Sequence, residues 1–78
     1  IKANKLSAYP NPCLNEINIS SEKAIGAYTI QDLARRILKT GNCNQQEKQI
    51  NVSTLPCGIY ILKILDSLSE IKFLKVDN

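Results

Sequence analysis

The strongest hydrophobic pattern in the chain is the apolar run at residues 55–65. In an extended strand both of its faces would be mostly apolar, which is typical of a strand buried on two sides. One face would carry Ile59, Ile61, Lys63 and Leu65, and the other would carry Tyr60, Leu62 and Ile64. Pro56 fixes φ and Gly58 can adopt a positive φ, so a tight turn should precede the strand. The run therefore predicts the central strand of a small sandwich.

Shorter stretches of alternating apolar and polar residues predict several more strands. These strands cover residues 16–20, 27–31, 36–40, 48–52 and 69–76. Their inward positions are Ile17, Ile19, Tyr28, Ile30, Ile50 and Val52, with Leu6 and Ala8 as further candidates near the start. Residues 24–38 lack an internal proline and could form a helix, but Gly26, Tyr28 and Thr29 favour extended structure. About seven short strands predict an all-β fold, an immunoglobulin-like antiparallel β-sandwich.

The connections between these strands carry their own signals. Pro10 and Pro12 enclose Asn11 and remove two backbone donors, which predicts a rigid corner where the chain changes sheet or direction. A short turn is expected at residues 32–35. Residues 41–47 have the polar composition of an exposed loop.

Composition sets limits on size and class. With 78 residues the chain is expected to be a single domain, and 44% hydrophobic residues are enough for a core. No apolar run approaches the ~20 residues of a membrane-spanning helix. The net charge of +3 is spread along the chain, with Arg35-Arg36 as the only basic pair, which does not indicate a nucleic-acid interface. Ile1 starts neither a signal peptide nor an obvious native chain, so we expect a domain excised from a longer protein.

The residues needed for most catalytic and metal chemistry are missing or isolated. The chain has no histidine, which removes the commonest general base, the commonest zinc ligand and the usual partner of a nucleophilic serine or cysteine. Carboxylates and glycines occur singly, without a paired acid or a phosphate-binding loop pattern. Cys13, Cys43 and Cys57 match no metal-binding spacing, and both a disulfide between two of them and unpaired thiols fit the pattern. We expect no catalytic residues, no metal and no cofactor.

Three motifs, taken in order, resemble a known family. They are Tyr9-Pro10-Asn11-Pro12 near the start, Leu55-x-x-Gly58-x-Tyr60 before the central strand, and Lys72-Phe73-Leu74-Lys75-Val76 at the end. Their order and spacing resemble the C-terminal sorting domain of the type IX secretion system, of type A (Por-type), from Bacteroidota. The matching positions are Pro10, Asn11, Pro12, Leu55, Gly58, Tyr60, Lys72 and Lys75. The family usually has a glycine in the turn after an aspartate, where this chain has Ala34, so the geometry of that turn stays open.

The resemblance implies an Ig-like sandwich at the C-terminus of a larger cargo protein. Such a cargo would pass through the periplasm and be carried across the outer membrane by the type IX translocon and its shuttle protein. A gingipain-like cysteine sortase would then remove the domain, and the cargo would be anchored at the cell surface or released. The domain would be a non-catalytic address label, with no nucleic-acid partner and no direct membrane insertion.

We expect the last strand to be the part that the secretion machinery recognises. Alternation puts its two lysines on opposite faces, so at most one can point into the core. A free edge at residues 70–76 would offer unpaired backbone groups to the translocon, or to a second copy in an edge-strand dimer. The residues assigned to recognition are Glu70, Lys72, Phe73, Lys75 and Val76. The motif residues Pro10, Asn11, Pro12, Leu55, Gly58 and Tyr60 are expected to be structural.

Two other classes of function stay open. A small Ig-like or fibronectin-like accessory module could bind carbohydrate or protein, although the chain has no Trp and few aromatic residues for stacking on sugars. A structural spacer in an extracellular enzyme or an adhesin is the second alternative. Such a spacer would be expected in internal tandem copies rather than at the end of a protein.

Overall fold

The computed structural model describes residues 5–77, and this part of the chain contains β-strands joined by turns and short loops. The strands are β1 (Leu6–Tyr9), β2 (Glu16–Ser21), β3 (Gly26–Gln31), β4 (Ile37–Cys43), β5 (Glu47–Asn51), β6 (Gly58–Ile64) and β7 (Ser69–Lys75). The predicted all-β sandwich of about seven strands is confirmed. Within the described residues there is no helix, and so none that could cross a membrane.

The strands form two antiparallel sheets. The smaller sheet has the order β1-β2-β5, and the larger has the order β4-β3-β6-β7. β6 is an inner strand between β3 and β7, as predicted for the central apolar run. The chain reverses direction after β1, because β1 and β2 pair antiparallel in the same sheet on either side of the proline corner.

The core lies between the two sheets and is formed by alternate residues of the strands. The six inward positions predicted for the second, third and fifth strands are all buried, and none is more than 6% exposed. Leu6 and Ala8 of β1 pack against this core while partly exposed. Burial of each large apolar side chain stabilises the fold by about 1.5–3 kcal/mol. The period-two pattern therefore identified the core faces correctly.

The prediction that β6 is buried on both faces is only partly correct, because the middle of its outer face is buried at Ile61 (3% exposed) but the rest of that face is not. Tyr60, Leu62 and Ile64 face the core, but Ile59 on the opposite face is 47% exposed and Lys63 is half-buried. The sandwich has only two layers, so the outer face of the larger sheet has no second sheet against it. Some of the apolar side chains on that face are therefore exposed to solvent.

β4 is longer than predicted. The strand was expected to end at Thr40 and to be followed by a loop at residues 41–47, but it continues to Cys43. Gly41 pairs with Tyr28 of β3, and the Tyr28 ring covers the glycine so closely that a Cβ there would clash. A glycine inside a strand often marks such a close approach, and a polar composition alone did not reveal it.

Candidate recognition surface

The proline corner lies against β7, at the edge of the larger sheet. Asn11 donates from Nδ2 to the Lys72 carbonyl (3.3 Å) and accepts at Oδ1 from the Leu74 N–H (2.9 Å). The Cys13 N–H donates to the Leu74 carbonyl, and the Val76 N–H donates to the Cys13 carbonyl, both at 2.9 Å. These groups belong to alternate residues of the strand and point away from β6. The corner therefore occupies the outer edge of β7.

The predicted free edge at residues 70–76 is wrong for residues 72–76. The side-chain amide of Asn11 presents both a donor and an acceptor, so it bonds to the strand as a peptide group would. The alternation of the sequence does not reveal this contact, because Asn11 and Lys72 are 61 residues apart. A partner strand that added here would first have to displace the corner.

The residues predicted for recognition divide between the two faces of β7. Phe73 and Lys75 face the core and are 1% and 2% exposed. Glu70 and Lys72 are exposed on the outer face, and Val76 is half-buried. The prediction that only one of the two lysines can point inward is confirmed, and it is Lys75. In the folded domain a partner can contact Glu70 and Lys72 directly.

The buried ammonium of Lys75 is satisfied by the end of the strand. Its Nζ donates to the Val76 carbonyl (3.2 Å) and to the Asp77 carboxylate (3.0 Å). The hydrogen bond from the Cys57 thiol, followed by the Lys75 ammonium, lowers the pKa of Asp77, and the same carboxylate raises the pKa of the thiol. These contacts join residues 75–77 to the turn before β6.

The central motif fixes the turn that leads into β6. The Tyr60 O–H donates to the Pro56 carbonyl, four residues upstream, as in the tyrosine corners of Ig-like sandwiches. Gly58 has a φ of 157°, which confirms the predicted positive φ. The Tyr60 ring lies 5.8 Å from the ring of Phe73, and Leu55 is half-buried against the core. The contacts of Leu55, Gly58 and Tyr60 thus shape the turn and pack the core.

The turn between β3 and β4 is built around Asp32. Its Oδ1 accepts from the Ala34 N–H (2.9 Å) and the Arg36 N–H (3.0 Å), and its Oδ2 accepts from the Arg36 guanidinium (2.7 Å). These hydrogen bonds, with that of the Arg36 N–H the largest cause, lower the pKa of Asp32. Arg35 has a φ of 68°, whereas Ala34 has no positive φ. The residue with a positive φ in this turn is therefore Arg35 and not Ala34, which settles the geometry that the sequence left open.

Arg35 extends from this turn across the outer face of the larger sheet. Its Nη1 donates to Glu70 Oε2 at 2.6 Å, and its Nη2 donates to Oε1 at 3.4 Å. Lys63 of β6 lies directly opposite Glu70, and Lys72 follows on the same face of β7. The hydrogen bond from Arg35 lowers the pKa of Glu70, and the charges of Lys63 and Lys72 add to the effect. Three cations therefore surround one carboxylate.

The same face exposes apolar side chains next to these charges. Ile59 and Leu74 lie opposite each other on β6 and β7 and are 47% and 38% exposed. A shallow groove of about 230 Å³ is lined by these two residues together with Asn11, Lys72 and Phe73. The outer face of β6 and β7 thus combines an apolar pair with a cluster of positive charge.

Two members of this face were not assigned from the sequence. Lys63 carried a usable signal, because it is the one charged residue in the apolar run 55–65. Arg35 carried none, because its contact with Glu70 joins residues 35 positions apart and depends on the strand order.

Among the described residues, the cysteines form neither a disulfide nor a metal site. All three thiols are free, with Cys13 buried, Cys43 half-buried and Cys57 exposed. Burial raises the pKa of the Cys13 thiol and outweighs the opposing effect of the Lys75 ammonium. Residues 5–77 contain no cluster of three or more His, Cys, Asp or Glu side chains that could hold a metal ion.

These features define a small immunoglobulin-like β-sandwich module with a charged and apolar outer sheet face. The family model of secretion system C-terminal sorting domains matches the chain over residues 7–75. The chain therefore belongs to this family, whose members are sorting signals of type IX secretion and are non-catalytic in general. Membership implies contact with the type IX machinery and export across the outer membrane. Neither the curated proteins nor the solved structures compared with the chain include a match.

Proposed function

We propose that this domain is the C-terminal address of a larger cargo protein of Bacteroidota and belongs to type A of its family. The cargo passes through the periplasm, and the translocon and shuttle protein carry it across the outer membrane. A gingipain-like cysteine sortase then removes the domain, which has no catalysis of its own, and the cargo is anchored at the surface or released. The observation that supports this proposal is the family match over residues 7–75.

Within this proposal, the end of the chain is the part that the machinery recognises. Glu70 and Lys72 are exposed for direct contact, and Val76 is half-buried beside them. Phe73 and Lys75 contribute by anchoring the strand in the core, since both are almost fully buried. An edge-strand dimer of the folded domain would use an edge other than residues 72–76 of β7, because the corner occupies that edge.

The test is export of a reporter that carries a Sec signal peptide at its N-terminus and this chain at its C-terminus. We expect the reporter to reach the surface or the medium, without the domain, only in a host with a working type IX system. Deletion of residues 73–78 should leave it in the periplasm. A reporter that stays periplasmic and uncleaved in both hosts, with the domain folded, would overturn the sorting function and favour an accessory binding module.

A further inference from the structure

We propose that the secretion machinery contacts the outer face of β6 and β7, and that its contacting segment presents acidic side chains beside an apolar one. This face, called here the β6–β7 face, comprises Ile59, Lys63, Glu70, Lys72 and Leu74. The inference rests on the proposed sorting function and makes it specific, because it names a surface and the chemistry of the partner. It also replaces recognition at the β7 edge with recognition by side chains.

The apolar part of the β6–β7 face is formed by Ile59 and Leu74. The two side chains are neighbours across the strands, and each keeps more than a third of its surface in water. Ile61 lies next to Ile59 on the same face of β6 and is only 3% exposed. The exposed pair therefore adjoins a buried apolar side chain. The adjoining groove of about 230 Å³ is shallow and suits one apolar side chain of a partner. Exposed apolar patches rimmed by polar groups often mark protein interaction sites.

The charges beside this pair are unbalanced. Arg35 and Glu70 neutralise each other through their salt bridge. Lys63 and Lys72 form no salt bridge with any described residue, and both are neighbours of Ile61 on the same face, Lys63 along β6 and Lys72 across on β7. Two positive charges next to an apolar pair attract a segment in which carboxylates flank an apolar side chain, because complementary potentials speed and orient association.

Over residues 72–76, the other surfaces of β7 are closed to a partner. Its inner face forms the core through Phe73 and Lys75, and its outer edge is bonded to Asn11 and Cys13. A partner that recognises the folded domain at β7 therefore meets the side chains of the outer face. No rearrangement of the corner is needed for this contact.

The charge arm of the test uses the same reporter with Lys63 and Lys72 both changed to Gln. We expect at least a tenfold loss of surface reporter, a larger loss with both changed to Glu, and normal export with both changed to Arg. The matched control changes the exposed Lys23 and Lys48 to Gln, which alters the net charge equally on other parts of the domain. The control should be exported normally.

The apolar arm changes Ile59 and Leu74 to Thr, which keeps a side chain suited to a strand. We expect a similar loss of export. Its control changes Leu14 and Leu33 to Thr, since these leucines are about as exposed as the pair, at 42% and 58%, and neither has a positive φ. Cooperative thermal unfolding of each purified domain establishes that the variants are folded.

The outcomes separate the two proposals. If the unchanged domain is not exported, the sorting function fails. If it is exported and the Gln and Thr variants of the β6–β7 face are exported equally well, the sorting function stands and the recognition surface is overturned. A third measurement is sedimentation of the purified domain with phosphatidylglycerol vesicles. Binding that is lost in the Lys63/Lys72 Gln variant would mean that the charges serve a membrane surface, which overturns the protein partner.

Discussion

Two residues other than glycine adopt left-handed backbone conformations, and their surroundings differ. Arg35 (φ 68°) lies in the turn that Asp32 holds together, and its guanidinium is hydrogen-bonded to Glu70. Leu68 (φ 57°) lies in the turn between β6 and β7 and is 71% exposed. For an L-residue this conformation costs about 1–2 kcal/mol. Arg35 gains an ion pair in this conformation, whereas Leu68 gains no hydrogen bond.

Replacement of Leu68 by Gly should therefore stabilise the domain. Relief of the left-handed strain outweighs the greater entropy of glycine in the unfolded chain, so we expect a gain of about 0.5–1 kcal/mol in the free energy of unfolding. Urea unfolding measures this gain. Leu68→Ala is the control, because it removes the exposed side chain and keeps the strain. Equal stability of the Gly and Ala variants would contradict the prediction.

At the scale of elements, the most consequential contact is that between the proline corner and β7. An exposed strand edge tends to pair with other chains, and the corner removes that tendency over residues 72–76. Asn11 makes two of the four hydrogen bonds there, and Cys13 makes the other two. The corner thus connects β1 to β2 and also covers the edge of β7.

Asn11→Ala should open part of this edge. Loss of two hydrogen bonds lowers the free energy of unfolding by about 1–3 kcal/mol, and light scattering should detect concentration-dependent association that exceeds that of the unchanged domain. Asn11→Asp keeps the acceptor for the Leu74 N–H and loses the donor to the Lys72 carbonyl, so its effect should be intermediate. A monomeric Ala variant with unchanged stability would show that the corner does not protect the edge.

The elements also show what the sequence can and cannot predict. The strands and their inward residues were predictable, because the two faces of each strand meet different surroundings and impose a period of two. The end of β4 was missed, since Gly41 is favourable in a strand only when Tyr28 covers it. The occupied edge of β7 and the Arg35–Glu70 salt bridge were both missed, because each depends on a contact between distant parts of the chain.

For the molecule as a whole, acid should weaken the fold. The pKa values of Asp32, Glu70 and Asp77 are lowered by hydrogen bonds and by nearby cations. A carboxyl whose pKa is lower in the folded than in the unfolded state stabilises the fold at pH values above its unfolded pKa, and this stabilisation is lost as the pH falls through the folded pKa. The ordinary pKa values are 3.8 for Asp and 4.5 for Glu, so we expect this stabilisation to be lost below about pH 4.5.

Thermal unfolding between pH 7 and pH 2.5 should therefore show a melting temperature that is nearly constant down to about pH 5 and then falls. The effect is modest, because all three carboxyls are at the surface. Glu70→Gln should melt lower at pH 7 and lose less on acidification, since it lacks the ionisation that Arg35 favours. A melting temperature that rises below pH 4 would contradict the assignment of these ion pairs.

The domain has to remain folded, and in our proposal it is recognised through the β6–β7 face, so the two requirements fall on different residues. Tyr60 is 6% exposed, and its hydroxyl bonds to the Pro56 carbonyl, so a partner has little access to it. Tyr60→Phe should lower the free energy of unfolding by about 1 kcal/mol and leave reporter export unchanged at temperatures where the domain stays folded. The Gln variant of Lys63 and Lys72 should behave in the opposite way, with normal stability and impaired export. A folded Tyr60→Phe domain that is not exported would mean that the machinery contacts the central motif itself.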